Sequence, residues 1–537
     1  MADSLGVADA RSLMRRSSAS TVASFFAMQV RLHPDRPALI GDGRRLTYAE
    51  LGRRVRGLAA WLRQSGVGQG ARLAMLSENR AEYLEVFLAA AWLGAIVACQ
   101  NWRLAAPELS HCLALVEPDV ILVSPRHADR LAAWRGKSSA VLEFGEAYEA
   151  AVLQGDPGAD LTPAELDPES PLLILYTSGT TGLPKGAIIS HRAEIARNMV
   201  LRAEFGIAAE DAFVAWSPLY HMGAAEFSLG TLMAGGTVLV VDGFDVARLA
   251  DIVATEALGW LLLMPGMVGR FAAELKQRRI CARGVKVCGV MADLVPPAEI
   301  ADITALLGAP YANTFGATET GCPPCSSNLI PIGVAPARLS KQQSPFCEVR
   351  LVDAGDRDVP IGVPGELCMR GPTLFSGYWR APETNAEDFR GGWFHMGDVF
   401  VRNPDGTLDF VDRVKYLIKS GGESIYPAEI ERVLLQDARV ADAAVVRRAD
   451  PKWGEVPVAF VARRDDTLTE DALRQRCREQ LAGFKQPKAI HFIPFDAFPR
   501  SASGKIQRHE MERRLADEEL KDQTAREGGG HRHERPA

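Results

Sequence analysis

Two apolar runs, Leu172 to Leu175 and Ala187 to Ile189, flank a segment in which Gly, Ser and Thr crowd together ahead of Pro184-Lys185-Gly186. No other stretch constrains the fold as strongly, because a short polar loop between two buried elements must present its backbone at one end of a sheet. In Tyr176–Ala187 (Y-T-S-G-T-T-G-L-P-K-G-A), Thr177, Ser178, Thr180 and Thr181 supply hydroxyl donors, and Lys185 adds a full positive charge. Gly179, Gly182 and Gly186 let backbone N–H groups turn toward an anion. Such a loop is suited to a polyphosphate. A flexible linker would not carry Pro-Lys between apolar flanks. Pro184 before Lys185 and Gly186 after it break the Walker A spacing, which disfavours an ordinary P-loop nucleotidase.

Around this loop, strand-like apolar runs alternate with helical patterns: Leu73 to Leu76, Val120 to Val123, Thr237 to Val241 and Val285 to Val290, with a helix expected from His191 to Val200. That rhythm predicts α/β layers with largely parallel sheets. Near Glu348 to Val352, Gly365 to Met369 and Thr407 to Val411 the strands become short and turn-rich, which predicts an antiparallel subdomain. Beyond Asp412 a small α+β unit is readable, with helices at Pro427 to Gln436 and Glu470 to Leu481 and strands near Ala443 to Arg447 and Val456 to Ala462. The change of rhythm at Asp412 divides the chain into residues 1–411 and 412–517, followed by a tail over 518–537 that is expected to be disordered and whose His531 and His533 have no assigned role.

The 537 residues, 47% hydrophobic and 24% charged, are those of a globular enzyme rather than a disordered chain. With a net charge of -6 and no basic stripe, a nucleic-acid partner is excluded from the expectations. Val86 to Cys99 falls short of the about 20 apolar residues that span a bilayer and reads as a buried helix running toward a strand. No signal-type segment follows Arg15 and Arg16, and an odd count of nine cysteines fits a reducing cytoplasm. Cys322 and Cys325 form a C-x-x-C without a second pair or nearby histidine, so they are expected as buried thiols.

The loop, followed in order by Pro218–Gly223 (P-L-Y-H-M-G), Asn313–Thr320 (N-T-F-G-A-T-E-T), Trp393–Asp398 (W-F-H-M-G-D), Asp412–Glu431 and Pro499–Arg508 (P-R-S-A-S-G-K-I-Q-R), resembles the adenylate-forming superfamily over about residues 20 to 512. That superfamily contains acyl- and aryl-CoA ligases, peptide-synthetase adenylation domains and luciferases. The resemblance implies a large N-terminal domain, a mobile C-terminal lid hinged at Asp412, and the use of ATP, Mg2+ and coenzyme A. It implies that the Thr177–Lys185 loop holds the β- and γ-phosphates, that Thr318 contacts the α-phosphate and that Glu319 binds Mg2+. Asn313, Phe315 and Gly316 then lie beside the nucleotide, with Phe315 where Tyr commonly packs on adenine. Asp398 would accept the ribose hydroxyls and Arg413 would reach the ribose. Lys505 would bridge carboxylate and α-phosphate during adenylation, a task for a compact ammonium on a long stem. His221 would gate the thiol channel, while Lys419, Gly421 and Gly422 would flank the pantetheine arm in a second lid orientation. The acyl pocket would be lined by Met222, Gly223, Met264, Gly266 and Met291, with Gly316 at its floor.

Several positions depart from the family pattern: Met396 where Thr is common, Tyr416 where Asp is common, Gly289–Asp293 in place of a small-residue stretch near adenine, and Leu339–Cys347 in place of a Gly-rich one. The expected activity is ligation of a hydrophobic carboxylic acid, medium-chain or aryl, to coenzyme A through an acyl-adenylate. A stand-alone adenylation enzyme serving a carrier protein, a luciferase-like oxygenase and a catalytically silent acyl-AMP or nucleotide sensor are the alternatives. A cytoplasmic location is expected, and a homodimer is compatible with the reading. Against an amino-acid substrate, Tyr220 to Phe227 contains no Asp.

Overall fold

The computed structural model describes residues 17–134, 140–155, 162–177, 183–421, 423–500 and 506–517. By backbone contacts the chain divides into two units, one of residues 1–349 and 369–394 and one of residues 350–368 and 395–537.

The first unit is built on two sheets. In the larger, the strands lie in the order Leu329–Ile330, Tyr311–Ala312, Gly284–Cys288, Ala257–Leu261, Ala212–Ala215, Val238–Val240, Pro37–Gly41 and Arg44–Thr47. All neighbours from Tyr311–Ala312 to Pro37–Gly41 are parallel, and only the two edges are antiparallel. The smaller runs Ala140–Glu143, Val120–Val123, Arg72–Leu76, Ile96–Cys99, Pro171–Thr177 and Lys185–Ser190, parallel until the last pair. Strands such as Val120–Val123 are buried at every position, as expected where helices cover both faces of a parallel sheet. The helix Ala81–Leu93 is likewise buried throughout and stops at Gly94, whose φ of 70° ends the helix before the strand Ile96–Cys99 begins. Among the described residues no helix is long and apolar enough to cross a membrane.

The second unit holds most of a four-stranded sheet, in the order Glu348–Val352, Pro364–Arg370, Phe394–Arg402, Leu408–Arg413, the last two antiparallel. It also holds a five-stranded sheet whose long central hairpin pairs Val440–Asp450 with Gly454–Arg463. Alternation in that hairpin feeds two cores. Ala443 and Val445 pack with the helices Pro427–Leu435 and Glu470–Gln480, whereas Ala444 and Val446 pack with Phe498, Met511 and Leu515. The contact division does not follow the expected 411/412 boundary. The strand Leu408–Arg413 runs through that point, and the Asp412 carboxylate accepts hydrogen bonds from the Arg413 N–H and, at the start of the helix Pro427–Leu435, from the Ala428 N–H, both at 2.7 Å.

Candidate active site

Four adjacent parallel strands of the larger sheet end beside one another, and the segments that follow them carry the predicted acyl and nucleotide residues. His221, Met222 and Gly223 follow Ala212–Ala215; Met264 and Gly266 follow Ala257–Leu261; Met291 follows Gly284–Cys288; and Asn313 to Glu319 follow Tyr311–Ala312. Open parallel sheets bind ligands at this carboxyl edge. Backbone proximity there is enforced by glycine: a Cβ on Gly316 would meet the Gly321 carbonyl oxygen at 1.9 Å, and one on Gly289, at φ +73°, would sit 2.0 Å from the Tyr311 ring.

The phosphate loop leaves the smaller sheet at the tip of an antiparallel pair in which Thr177 stands opposite Lys185. Lys185 places its Nζ 5.1 Å from the centre of the Tyr378 ring, and the Tyr378 hydroxyl donates to Glu319 Oε1 at 2.9 Å. Tyr378 therefore links the loop lysine to the carboxylate proposed for the metal. The sequence reading did not single it out. Among the described residues Glu319 Oε2 takes no hydrogen bond, which leaves a hard oxygen for a divalent cation.

His221 is the N-cap of the helix Met222–Ala234 and packs on Tyr220, ring centroids 4.5 Å apart. Burial, and then the charge of Arg103, pulls its imidazole down to about 4, and its Nε2 has no partner among the described residues. It is neutral at physiological pH, suited to gating and not to carrying a charge.

Beneath the Thr318–Glu319 turn lies a buried charged cluster that sequence reasoning also missed. Arg197, on the helix His191–Phe205, pairs with Glu226 on the helix Met222–Ala234, and both are almost wholly buried. Glu194 lies fully buried one turn away, its Oε1 accepting from the Asn198 amide at 2.8 Å and its Oε2 without a partner among the described residues. Burial, reinforced by the charge of Glu226, pushes Glu194 well above its ordinary value of 4.5, so it is held as the neutral acid. The folded state thus keeps a proton that the unfolded chain releases above pH 4.5. Stability from this group is present below that pH and is lost as pH rises. Glu194→Gln should accordingly match the wild type near pH 4.5 and gain on it by up to about 1.4 kcal/mol per pH unit above. Melting curves from pH 4.5 to 8 check this; a constant difference would show an ionised Glu194.

Two of the departures from the family pattern answer one another. Lys341, from the stretch lacking glycines, is fully buried and lies 2.6 Å from the Oδ2 of Asp293, from the altered adenine-side stretch. The same ammonium donates to Asn313 Oδ1, and the Asn313 amide in turn donates to the carbonyls of Leu339 and Ser340. Asp293→Ala would leave that ammonium buried without its counter-charge. The cost expected is about 1–3 kcal/mol, below that of a closed pair because the Asp293 side chain is 38% exposed. Asp302→Ala, which removes an exposed partner of Lys276, should cost under about 0.5 kcal/mol. Equal shifts in melting would remove the structural role of Lys341.

In the second unit Asp398 and Arg413 stand opposite each other in the antiparallel pair, and Arg413 Nε lies 2.9 Å from the buried Asp398 carboxylate. Arg508 lies 4.7 Å from the Tyr416 ring centre while bonding Glu431, so the tyrosine that replaces the family acid still faces a cation. Gly421, at φ +59°, donates its N–H to the Trp453 carbonyl at 2.8 Å; a Cβ there would strike the indole at 2.7 Å. The Lys419 N–H donates to Glu455. Ser178, Gly179, Thr180, Thr181, Gly182, Gly422 and Lys505, together with the 518–537 tail, lie outside the described residues.

Known proteins bear on this geometry. The model of the AMP-binding enzyme family matches residues 26–379, and that of the AMP-binding enzyme C-terminal domain matches residues 429–505. A feruloyl-CoA synthase of Amycolatopsis sp is 36% identical over 92% of this chain and 99% of its own length. A fatty acid–[acyl-carrier-protein] ligase of Streptomyces coeruleorubidus is 31% identical over 90% of this chain and 94% of its own. The crystal structure of ATP-bound MatB from Rhodopseudomonas palustris superposes with a TM-score of 0.80 at 26% identity, covering 92% of this chain and 99% of that one.

Proposed function

We propose that this chain, which belongs to the AMP-binding enzyme family, is an acid–thiol ligase that joins a hydrophobic carboxylic acid to coenzyme A through an acyl-adenylate. In the first step the acid's carboxylate attacks the α-phosphorus of ATP, expelling pyrophosphate. In the second the thiol attacks the acyl carbon and AMP leaves. The observation that supports this most is the meeting of the acyl-side and nucleotide-side loops at neighbouring strand ends, with Tyr378 joining Lys185 to Glu319.

Both reactants of the first step are anionic, so the site must offset charge and hold them in line. Lys185 and the hydroxyls of its loop take the terminal phosphates and Thr318 the α-phosphate; the ribose role of Asp398 is carried over from the family resemblance alone. Glu319, with one oxygen fixed by Tyr378, would hold Mg2+ together with substrate phosphates. The ion would supply Lewis-acid charge neutralisation at the phosphates. Neutral His221 would itself bring no charge to the thiol channel.

A carrier-protein acceptor is the second reading, because one relative at 31% identity is named for it. Acid-dependent ATP–pyrophosphate exchange across an acid panel, followed by addition of coenzyme A or a phosphopantetheinylated carrier with thioester detection, separates the two. Absence of acid-dependent exchange overturns the adenylation reading itself.

A further inference from the structure

We propose that Arg197 is a positioning residue for the metal-side carboxylate of Glu319, and that Glu226 on the acyl-side helix holds it to that task. The inference rests on the adenylation reading and deepens it. Arg197 donates in three directions from one buried guanidinium: Nε to the Thr373 carbonyl at 2.7 Å, Nη2 to the Thr318 carbonyl at 3.1 Å, and Nη1 to the Glu226 carboxylate. The Thr318 carbonyl belongs to the peptide plane that precedes Glu319. The plane that follows Glu319 is held as well, because the Glu319 carbonyl accepts from the Phe375 N–H at 2.8 Å.

A peptide is planar, so fixing the planes on both sides of a residue fixes its φ and ψ together. The direction of the Glu319 side chain is then set by its backbone, and the Tyr378 hydroxyl selects which carboxylate oxygen stays free. Thr373 and Phe375 lie two residues apart on one segment, so Arg197 anchors that segment and the turn at once. Space around the guanidinium is equally committed. A Cβ on Gly321, at φ +77°, would approach Arg197 Cγ and Cδ at 2.9 Å, which only glycine avoids.

Burying an arginine is costly unless it is paired and every donor direction is used. Lysine offers a point charge and cannot reproduce a planar three-way fork. Arg197→Lys therefore keeps the charge opposite Glu226 while releasing the turn. A misplaced carboxylate affects the metal-loaded nucleotide far more than AMP, and that difference distinguishes positioning from general loosening.

The experiment uses the full-length protein and measures MgATP and AMP binding by calorimetry, ATP–pyrophosphate exchange, and thioester formation from supplied octanoyl-AMP. For Arg197→Lys the expected result is a Kd for MgATP raised at least fivefold with the AMP Kd within twofold. Exchange kcat should fall at least tenfold, with KM for the acid little changed and thioester formation retained. Glu226→Gln, which keeps an acceptor for Arg197 without the charge, should move the same quantities in the same direction by less, and it serves if the lysine variant does not fold. Glu194→Gln, in the same buried cluster without a contact to the turn, should leave all of them unchanged. Equal loss of MgATP and AMP binding, or equal loss of both half-reactions, would reduce Arg197 to a packing residue and overturn the proposal. A wild-type protein that shows no MgATP binding and no exchange would instead overturn the adenylation reading, and this inference with it.

Discussion

Lys505→Ala should lower acid-dependent adenylation by more than tenfold, about 1.4 kcal/mol of barrier or more, while thioester formation from supplied acyl-AMP survives largely intact. The asymmetry follows from when charge develops. In the first step two anionic groups approach and an ammonium between them stabilises the transition state. In the second no carboxylate has to be brought to the α-phosphate: the thiol attacks a neutral acyl carbon, and the charge that AMP gains on leaving forms on its own phosphate oxygen. Arg500 and Ile506, the described residues on either side of the lysine's segment, pair with each other as an isolated bridge, and the Gln507 N–H donates to the Pro499 carbonyl at 2.8 Å. These contacts do not depend on the lysine side chain, so the substitution should spare the fold. Exchange kinetics and a direct thioester assay on one preparation check the prediction. Equal loss in both assays would assign Lys505 a structural role, and a loss below tenfold would remove it from the adenylation chemistry.

The motifs were legible in sequence because they combine polar groups and glycines with apolar runs that mark the strands. Thr177 and Lys185 stand opposite each other at a strand pair's tip because the runs on both sides demanded it. The strands themselves were close to their observed bounds for the same reason: Val120–Val123 and Glu348–Val352 coincide, and the helix Pro427–Leu435 ends one residue early. What escaped was whatever depends on tertiary pairing. Arg197, Glu194 and Asn198 sit on a helix that reads as ordinarily charged, and sequence gives no sign that this face is turned inward. Glu226 did leave a signal, since it is the one charged residue in the buried helix Met222–Ala234, where an unpaired charge would be prohibitive. Asp293 and Lys341 were noticed only as separate irregularities. Their compensation became visible once the fold brought them within 2.6 Å. Tyr378 was overlooked because an aromatic in a loop is more often packing than function, and its hydroxyl bond to Glu319 becomes visible only in the fold.

The preferred acid should be a neutral, hydrophobic monocarboxylate: kcat/KM for octanoate and benzoate is expected to exceed that for acetate and malonate by about a hundredfold or more. The segments proposed to line the acyl pocket carry Met222, Gly223, Met264, Gly266 and Met291, which are apolar or small, and no Lys or Arg stands among these five. Arg197, the guanidinium on the helix beside the acyl-side one, is already committed to Glu226 and to the carbonyls of Thr318 and Thr373, so it cannot pair with a second carboxylate. A charged tail buried among such side chains would cost several kcal/mol in lost hydration. Each methylene moved from water contributes about 0.8 kcal/mol, so six added to acetate carry up to about 5 kcal/mol, of which a hundredfold preference needs about 2.7. The methionines can shift to accept either a chain or a ring, which argues for breadth across hydrophobic acids. Steady-state kinetics with the four acids decide the matter. A clear preference for malonate would require a cation that the pocket loops lack, and a preference for acetate would require the cavity to be closed below the carboxylate; either result would sink the hydrophobic pocket while leaving the ligase chemistry to stand on Lys505, Glu319 and Asp398.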